Sequence, residues 1–184
     1  SIKSISIPSK VVKIEKEAFD NCVELKSVEF QEPSELQFIG ELAFNLISIE
    51  NIVIPSKVTK ISSYAFYGCS NLKTVEIVES PNSITIDSRA FAASSIEKLT
   101  ISSKFAQLKS WSFNNCSELK TIEFSENTET VSIDDCALYG SSIESINIAS
   151  SKLELGDGNG IQQTYKLKDI IISPSNKYYQ YKNN

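Results

Sequence analysis

The stretch that decides the fold is residues 49–54, Ile-Glu-Asn-Ile-Val-Ile, together with its seven relatives along the chain. In a strand, Ile52 and Ile54 point to one side while Asn51 and Val53 point to the other. Windows of the same kind begin at residues 2, 25, 49, 72, 96, 119, 143 and 167, so the step is 23 or 24 residues. A strand that returns at this period predicts a solenoid, in which each window winds once and stacks on its neighbours.

The repeat continues along the chain without a composition break, so we expect residues 1–184 to form one elongated domain of about eight coils. The predicted fold class is an α/β repeat solenoid. It is a right-handed coil with one parallel β-sheet on one face and short helical or 3₁₀ turns on the other. The chain has no Met, opens directly on a strand and ends in a polar tail. We therefore expect it to be a segment of a longer protein, since terminal repeats of solenoids need a polar cap.

A second motif lies between the strands and predicts the interior of each coil. Residues 62–69 contain Ala65-Phe66, with serines that suit a helix N-cap before the pair and Gly68 after it. We interpret this segment as a short helical or 3₁₀ turn whose large side chain fills the core. The pair recurs as Ala18-Phe19, Ala43-Phe44, Ala90-Phe91, Ser112-Phe113 and Ala137-Leu138. An apolar residue stands four places before each pair: Ile14, Ile39, Ile61, Ile86, Leu108 and Ile133.

A longer period of 47 residues relates Ile-Pro-Ser-Lys-Val at 7–11 and 54–58 to Ile-Ser-Ser-Lys-Phe at 101–105. Odd and even coils therefore differ systematically. The second residue of each window is charged: Lys3, Lys26, Glu50, Lys73, Glu97, Lys120, Glu144 and Lys168. On strands about 4.8 Å apart, these side chains would form a charged ladder. A structural role against register slips is favoured, and ligand steering is the alternative.

Composition excludes several classes of partner. The net charge of −5 and the pI near 4.9 argue against nucleic acid and against an anionic membrane surface. No run approaches 18 apolar residues, so we expect no direct membrane insertion.

The chain carries no recognisable catalytic set. It has no His, which removes the commonest general base. Cys22, Cys69 and Cys116 are spaced 47 residues apart, which places them two coils apart in the stack. That separation is too large for a disulfide, and the three residues suit small buried positions. Cys136 falls at a different point of its coil, and without Cys-x-x-Cys spacing no zinc site is predicted. The glycine-rich segment 156–160 has too few acidic ligands for calcium and indicates an irregular turn.

We therefore expect a protein that is not an enzyme and that has no cofactor and no metal. Tyrosines near the end of the sequence leave two alternatives, the interior of a further coil or an exposed aromatic patch; they are Tyr165, Tyr178, Tyr179 and Tyr181.

The combined motif resembles the BspA-like leucine-rich repeat. It reads Ile-Pro-Ser-Lys-Val, then Ile-x-x-x-Ala-Phe, then x-x-Cys-x-x-Leu-Lys-x-Val-Glu-Phe, and it covers essentially the whole chain. The departures are Ser112-Phe113, Ala137-Leu138 and the glycine-rich seventh coil. The resemblance implies a cell-surface or secreted protein of a bacterium or mucosal protist that adheres to host cells or matrix proteins. It brings no catalytic residues and no defined binding motif.

Three functions compete. The first is a surface adhesin or protein-binding module that uses the outward side chains of the strands. The second is a structural spacer that presents another domain. The third, a repeat that grips one protein tightly, needs aromatic residues and Arg on the strand face, whereas the only Arg and the only Trp, Arg89 and Trp111, lie outside the strands. The oligomeric state is left open. The candidate binding residues are Ser27, Glu29, Asn51, Val53, Thr74, Glu76, Lys98, Thr100, Thr121, Glu123, Ser145 and Asn147.

Overall fold

The repeat folds as a parallel β-solenoid. The computed structural model describes residues 2–148, 152–156, 161, 164 and 166–172. The predictions for the glycine-rich segment 157–160 and for Tyr165, Tyr178, Tyr179 and Tyr181 lie outside these residues. The strands in the described ranges are β1 (Ser4–Ile7), β2 (Lys13–Ile14), β3 (Ser27–Phe30), β4 (Phe38–Ile39), β5 (Asn51–Ile54), β6 (Lys60–Ile61), β7 (Thr74–Ile86), β8 (Lys98–Leu108), β9 (Thr121–Phe124), β10 (Thr130–Ile133), β11 (Ser145–Ile148), β12 (Lys152–Leu155) and β13 (Asp169–Ile172).

The predicted parallel strands form the first face, which we call the strand face. It consists of β1, β3, β5, β9, β11 and β13 together with the first halves of β7 and β8. Apart from β3 and β5, each strand pairs residue for residue with the equivalent strand of the next coil, as in Asn51 with Thr74 and Thr74 with Lys98. We number the coils by these strands. The first six coils are full windings in the described ranges, β11 and β12 belong to the seventh, and β13 opens the next.

A second row of parallel strands was not predicted. The short strands β2, β4 and β6 continue through the second halves of β7 and β8 into β10 and β12. They carry the apolar residues that stand four places before the Ala-Phe pairs, and Ile61 and Ile86 are fully buried in register with each other. Pro8 and Pro55 end β1 and β5, whereas coils 4 and 5 continue as strand around the same corner.

The prediction of helical or 3₁₀ turns on the third face is wrong, since the described residues contain no helix of either kind. The segments around the Ala-Phe pairs are successive tight turns. In coil 3, the N–H groups of Ala65 and Tyr67 donate back within the turn, while those of Phe66 and Gly68 donate to the next coil at 2.7 and 3.0 Å. A helix would direct all its N–H groups along its own chain. The alternation leaves every second N–H free to donate to a carbonyl of the neighbouring coil. The turns therefore form hydrogen bonds between coils that a helix would not form.

This turn geometry places two residues at positive φ in each of coils 1 to 6. Gly68 and Gly140 occupy such positions at φ of 65° and 70°, where a side chain is disfavoured. The remaining positions are held by residues with side chains: Glu17, Asn21, Leu42, Leu46, Tyr64, Arg89, Ala93, Trp111, Asn115 and Cys136. We call this third side of the solenoid the turn face.

The core is a continuous apolar column between the three faces. Phe44, Phe66, Phe91 and Phe113 are fully buried, and their rings stack on the rings of adjacent coils at centroid distances of 5.0–5.3 Å. Phe19 adds a fifth ring at 5.2 Å from Phe44. The small residue beside each Phe lets the turn approach closely, as predicted, and Ala43, Ala65 and Ala90 are fully buried.

The strand face is interrupted between coils 2 and 3. Strands β1 and β3 form a two-stranded sheet of their own, and no ladder joins β3 to β5. The backbones still meet where these strands begin, since the Ser48 N–H donates to the Leu25 carbonyl at 2.9 Å. Beyond that point the two strands separate, and a groove opens between them.

Candidate binding surface

The strand face brings the twelve candidate residues together on one surface, and none of them is buried. From β5 onward they form two rows that run along the solenoid axis. The first row contains Asn51, Thr74, Lys98, Thr121 and Ser145, and the second contains Val53, Glu76, Thr100, Glu123 and Asn147. Ser27 and Glu29 lie on β3, across the interruption.

Side-chain contacts across the rows are few and exposed. Thr74 Oγ1 donates to Asn51 Oδ1 at 2.5 Å, and Lys98 Nζ lies 2.7 Å from Glu123 Oε2. Exposed ion pairs of this kind contribute about 0–1 kcal/mol. The rows therefore present polar groups that can be redirected to a partner at little cost in stability.

The interruption gives this surface a concavity. The groove between β3 and β5 has a volume of about 480 Å³. Four candidate residues, Ser27, Glu29, Asn51 and Val53, stand around it, together with Val28, Phe30, Glu32 and Ile52. Val53 is 51% exposed. The groove thus combines an apolar floor, two carboxylates and strand edges that no ladder joins.

A second concavity of about 580 Å³ lies at the corner where coils 4, 5 and 6 turn away from the strand face. The Asn127 side-chain amide donates to Glu79 Oε1 at 2.8 Å across the intervening coil. Lys104 pairs with Glu129 at 3.3 Å beneath that bridge. The corner contains eight residues between the flanking core positions in even coils, as from Ile77 to Ile86, and six in odd coils, as from Ile101 to Leu108, so the odd corner is recessed. Its charged groups already satisfy one another.

The charged residues at the second position of each window, predicted to form a ladder, are joined mainly by backbone hydrogen bonds and hardly by ion pairs. The Lys73 N–H donates to the Glu50 carbonyl at 2.7 Å, and equivalent bonds link the other neighbouring coils except coils 2 and 3. Among the described residues, Lys168 with Glu144 at 3.9 Å is the only ion pair between members of this set. The alternating charges thus lie near one another without forming a continuous chain of contacts.

The cysteines behave as structural residues. Cys69 and Cys116 are fully buried, and their Sγ atoms lie 3.3 and 3.1 Å from the carbonyl oxygens of Phe44 and Phe91 in the preceding coils. Burial raises the pKa of the Cys69 thiol to about 12 and that of Cys116 to about 11. Cys22 and Cys136 are partly exposed, and all four are free. Within the described ranges, no three His, Cys, Asp or Glu residues converge as metal ligands.

The turn face carries a cluster that the sequence reasoning overlooked. We call Tyr64, Tyr67, Arg89, Trp111 and Tyr139 the aromatic cluster. Tyr64, Arg89 and Trp111 each stand directly before the small residue of a repeated pair. Tyr67 directly follows Ala65-Phe66, and Tyr139 directly follows the variant pair Ala137-Leu138. The aligned repeat was the signal that could have found it.

Comparison with known proteins identifies the family. The model for the BspA type leucine-rich repeat region matches residues 1–103 and 84–182, with six copies. The chain belongs to this family, and the resemblance seen in the sequence is confirmed. No curated protein matches the chain.

The chain is also similar to solved structures, and the first of those described next supports the fold. The chain is similar to a leucine-rich repeat protein from Bacteroides ovatus, with 22% identity, a TM-score of 0.58, and coverage of 94% of this chain and 55% of that one. A leucine-rich cell surface protein from Faecalibacterium prausnitzii gives 22% identity, a TM-score of 0.49, and coverage of 94% and 61%. The pneumococcal vaccine antigen PcpA gives 19% identity and a TM-score of 0.46, with coverage of 93% of this chain and 62% of that one. The chain spans about half the length of the first of these. In the described part of the chain, no helix has the length and apolar character to cross a membrane.

Proposed function

We propose that this chain is a non-enzymatic protein-binding module of a cell-surface or secreted protein. Its strand face would adhere to a protein of host cells or of the extracellular matrix. Membership of the BspA-type family supports this assignment. The observation that carries the proposal is the groove between β3 and β5, which interrupts an otherwise even surface among the candidate residues.

The composition of the face favours multivalent contact. Its outward residues are small or polar, and the chain's only Arg and Trp lie elsewhere. Tyr, Trp and Arg dominate tight single contacts, so a face without them suits weak binding at each site. Many repeats or many copies would then raise the overall affinity by keeping unbound sites close to their ligand.

A structural spacer is the second candidate. The regular stack of coils and the continuous core favour it, because such a stack projects attached domains without needing a partner. The two candidates differ in one respect, which is whether the isolated chain binds anything through its strand face.

A solid-phase assay with the 184-residue chain separates them. The probes are immobilised fibronectin, laminin and collagen, and cultured epithelial monolayers. The adhesin proposal expects saturable binding to at least one probe, and Val53→Asp should weaken that binding about tenfold by placing a charge at the groove. Val12→Asp is the matched control, because Val12 is 46% exposed but lies away from the strand face.

Two results would contradict the adhesin. Absence of binding to every probe would leave the spacer as the better function. Equal loss of binding in Val53→Asp and Val12→Asp would show that the strand face is not the binding surface. Unchanged melting temperatures in both variants ensure that a loss of binding is not a loss of folding.

A further inference from the structure

The aromatic cluster on the turn face is held together by contacts between four successive coils. The guanidinium carbon of Arg89 lies 5.8 Å from the ring centroids of both Tyr64 and Trp111, and its Nη1 donates to the Tyr64 hydroxyl at 3.1 Å. Trp111 packs on Tyr139 at 5.1 Å, and Tyr64 packs on Tyr67 at 5.6 Å. These are the residue types most enriched at the centres of protein interfaces.

Arg89 keeps an unused charge. It is exposed, and no carboxylate of the described residues lies within ion-pairing distance of its guanidinium. Four of its five N–H donors remain after the bond to Tyr64. A guanidinium so placed matches a partner carboxylate with two parallel hydrogen bonds.

The opposite end of the same face is acidic. Glu17 and Glu41 share a single lysine, Lys16, at 3.7 and 3.2 Å. The Asp20 carboxylate accepts from the Asn45 amide at 2.8 Å, and the Glu17 side chain is 52% exposed. Between the acidic end and the aromatic cluster lie Leu42 and Leu46, of which Leu46 is 39% exposed. The face thus changes from acidic through aliphatic to aromatic and cationic.

These residues form one row. Glu17, Leu42, Tyr64 and Arg89 each stand directly before the Ala of the repeated pair in coils 1 to 4, and each has a φ between 55° and 59°. With coils about 4.8 Å apart, Glu17 and Arg89 are separated by about 14 Å along the axis. Consider a second copy that faces the first and is related to it by a two-fold axis perpendicular to the solenoid axis, midway between coils 2 and 3. This rotation places Glu17 opposite Arg89 and Leu42 opposite Tyr64. Each pair then forms twice.

We propose that the turn face binds a second copy of this chain in an antiparallel, two-fold symmetric dimer. The same row serves both copies, as a self-complementary interface requires. Two Glu17–Arg89 pairs flank a centre made of Leu42 and Tyr64 from each copy. This inference does not depend on the adhesive function of the strand face, which stays exposed in the dimer.

Sedimentation of the 184-residue chain as a function of concentration tests the proposal. We expect reversible dimers in the micromolar range that weaken as salt rises, because the flanking pairs are exposed. Arg89→Glu places like charges opposite each other and should raise the dissociation constant about tenfold or more. Glu17→Arg should do the same, and the double variant should return to within about threefold of the unmodified chain, since the pairs are restored with reversed sign. Lys73→Glu, an equal charge change at an exposed position outside the turn face, should have no effect.

Three results would overturn the proposal. They are a chain that stays monomeric at all concentrations, a dimer that Arg89→Glu leaves unchanged, and a double variant no better than either single one. Circular dichroism of each variant verifies that the fold is retained. Because Arg89 and Glu17 are exposed, loss of folding is not expected to accompany the loss of the dimer.

Discussion

At the scale of single residues, the stacked phenylalanines concentrate the stability of the column. Phe66 lies between Phe44 at 5.2 Å and Phe91 at 5.0 Å and is fully buried. Its ring serves three coils at once, so its removal leaves a cavity that the neighbouring rings cannot close. The repeat in the sequence identified these residues correctly, because a large apolar side chain that recurs beside a small one is expected to be buried in the core.

Phe66→Ala should therefore lower the free energy of unfolding by about 3–5 kcal/mol. Urea unfolding followed by circular dichroism measures the change. Tyr67→Ala serves as the control, since Tyr67 is an adjacent exposed aromatic residue and its loss should cost about 1 kcal/mol or less. A Phe66→Ala variant as stable as the control would contradict the role of the column.

The buried thiols make stability depend on alkaline pH. The pKa of Cys69 and Cys116 is raised by burial from the usual 9.0 to about 12 and about 11. On raising the pH, the thiols of the unfolded chain therefore ionise first. The stability that the buried thiols contribute is complete below pH 9 and is lost as pH rises toward their pKa values in the folded chain. Each thiol lowers the free energy of unfolding by up to about 1.4 kcal/mol per pH unit in that window.

Urea titrations of the reduced chain between pH 8 and pH 10.5 measure this loss. The informative quantity is the difference from a Cys69→Ala/Cys116→Ala variant, because all other ionisable groups are common to both chains. That variant should be less stable at pH 8 and should lose stability less steeply above pH 9. Parallel slopes would show that the thiols are not the titrating groups.

At the scale of elements, the structure differs from the sequence prediction where hydrogen bonds join coils rather than residues of one segment. Ser62, Ser63 and Gly68 are typical of a capped helix, and nothing local in 62–69 excludes one. The outcome depends on neighbours, since Phe66 donates to Ala90 of the next coil. The two-residue strand Lys60–Ile61 was missed for the same reason, because a pair of residues has no periodicity of its own.

The missing ladder between β3 and β5 should appear in amide exchange. In a parallel strand, alternate N–H groups point to opposite neighbours. One side of β3 and one side of β5 have no ladder, whereas β9 and β11 are paired on both sides. About half of the amides in β3 and β5 should therefore exchange faster than those of β9 and β11, as measured by mass spectrometry or NMR. Equal protection in the two pairs would mean that the groove closes in solution.

At the scale of the whole molecule, the period was predictable and the irregularities were not. Ile52 and Ile54 in one coil and their equivalents in the others specify which side of each strand is buried. That pattern determines which residues share a face, so the two rows of candidate residues followed from it. It does not specify the distance between adjacent backbones. Residues 25–30 alternate as well as residues 49–54, yet β3 and β5 separate.

The aromatic cluster was missed for a related reason. Tyr64, Arg89 and Trp111 are separated by more than twenty residues and become neighbours only when each coil contributes one outward position of its turn. The prediction that Arg89 and Trp111 lie outside the strands was right. What it did not contain was their convergence on another side of the molecule.

The interruption between β3 and β5 also bears on mechanical load. Where ladders join every strand, a pull along the solenoid axis is shared among backbone bonds, side-chain packing and the links of the other two sides. Between coils 2 and 3 the strand ladder is absent, so the remaining two sides bear most of the tension there. Under stretching, rupture would begin at that level, with the first two coils peeling away while the later ones hold.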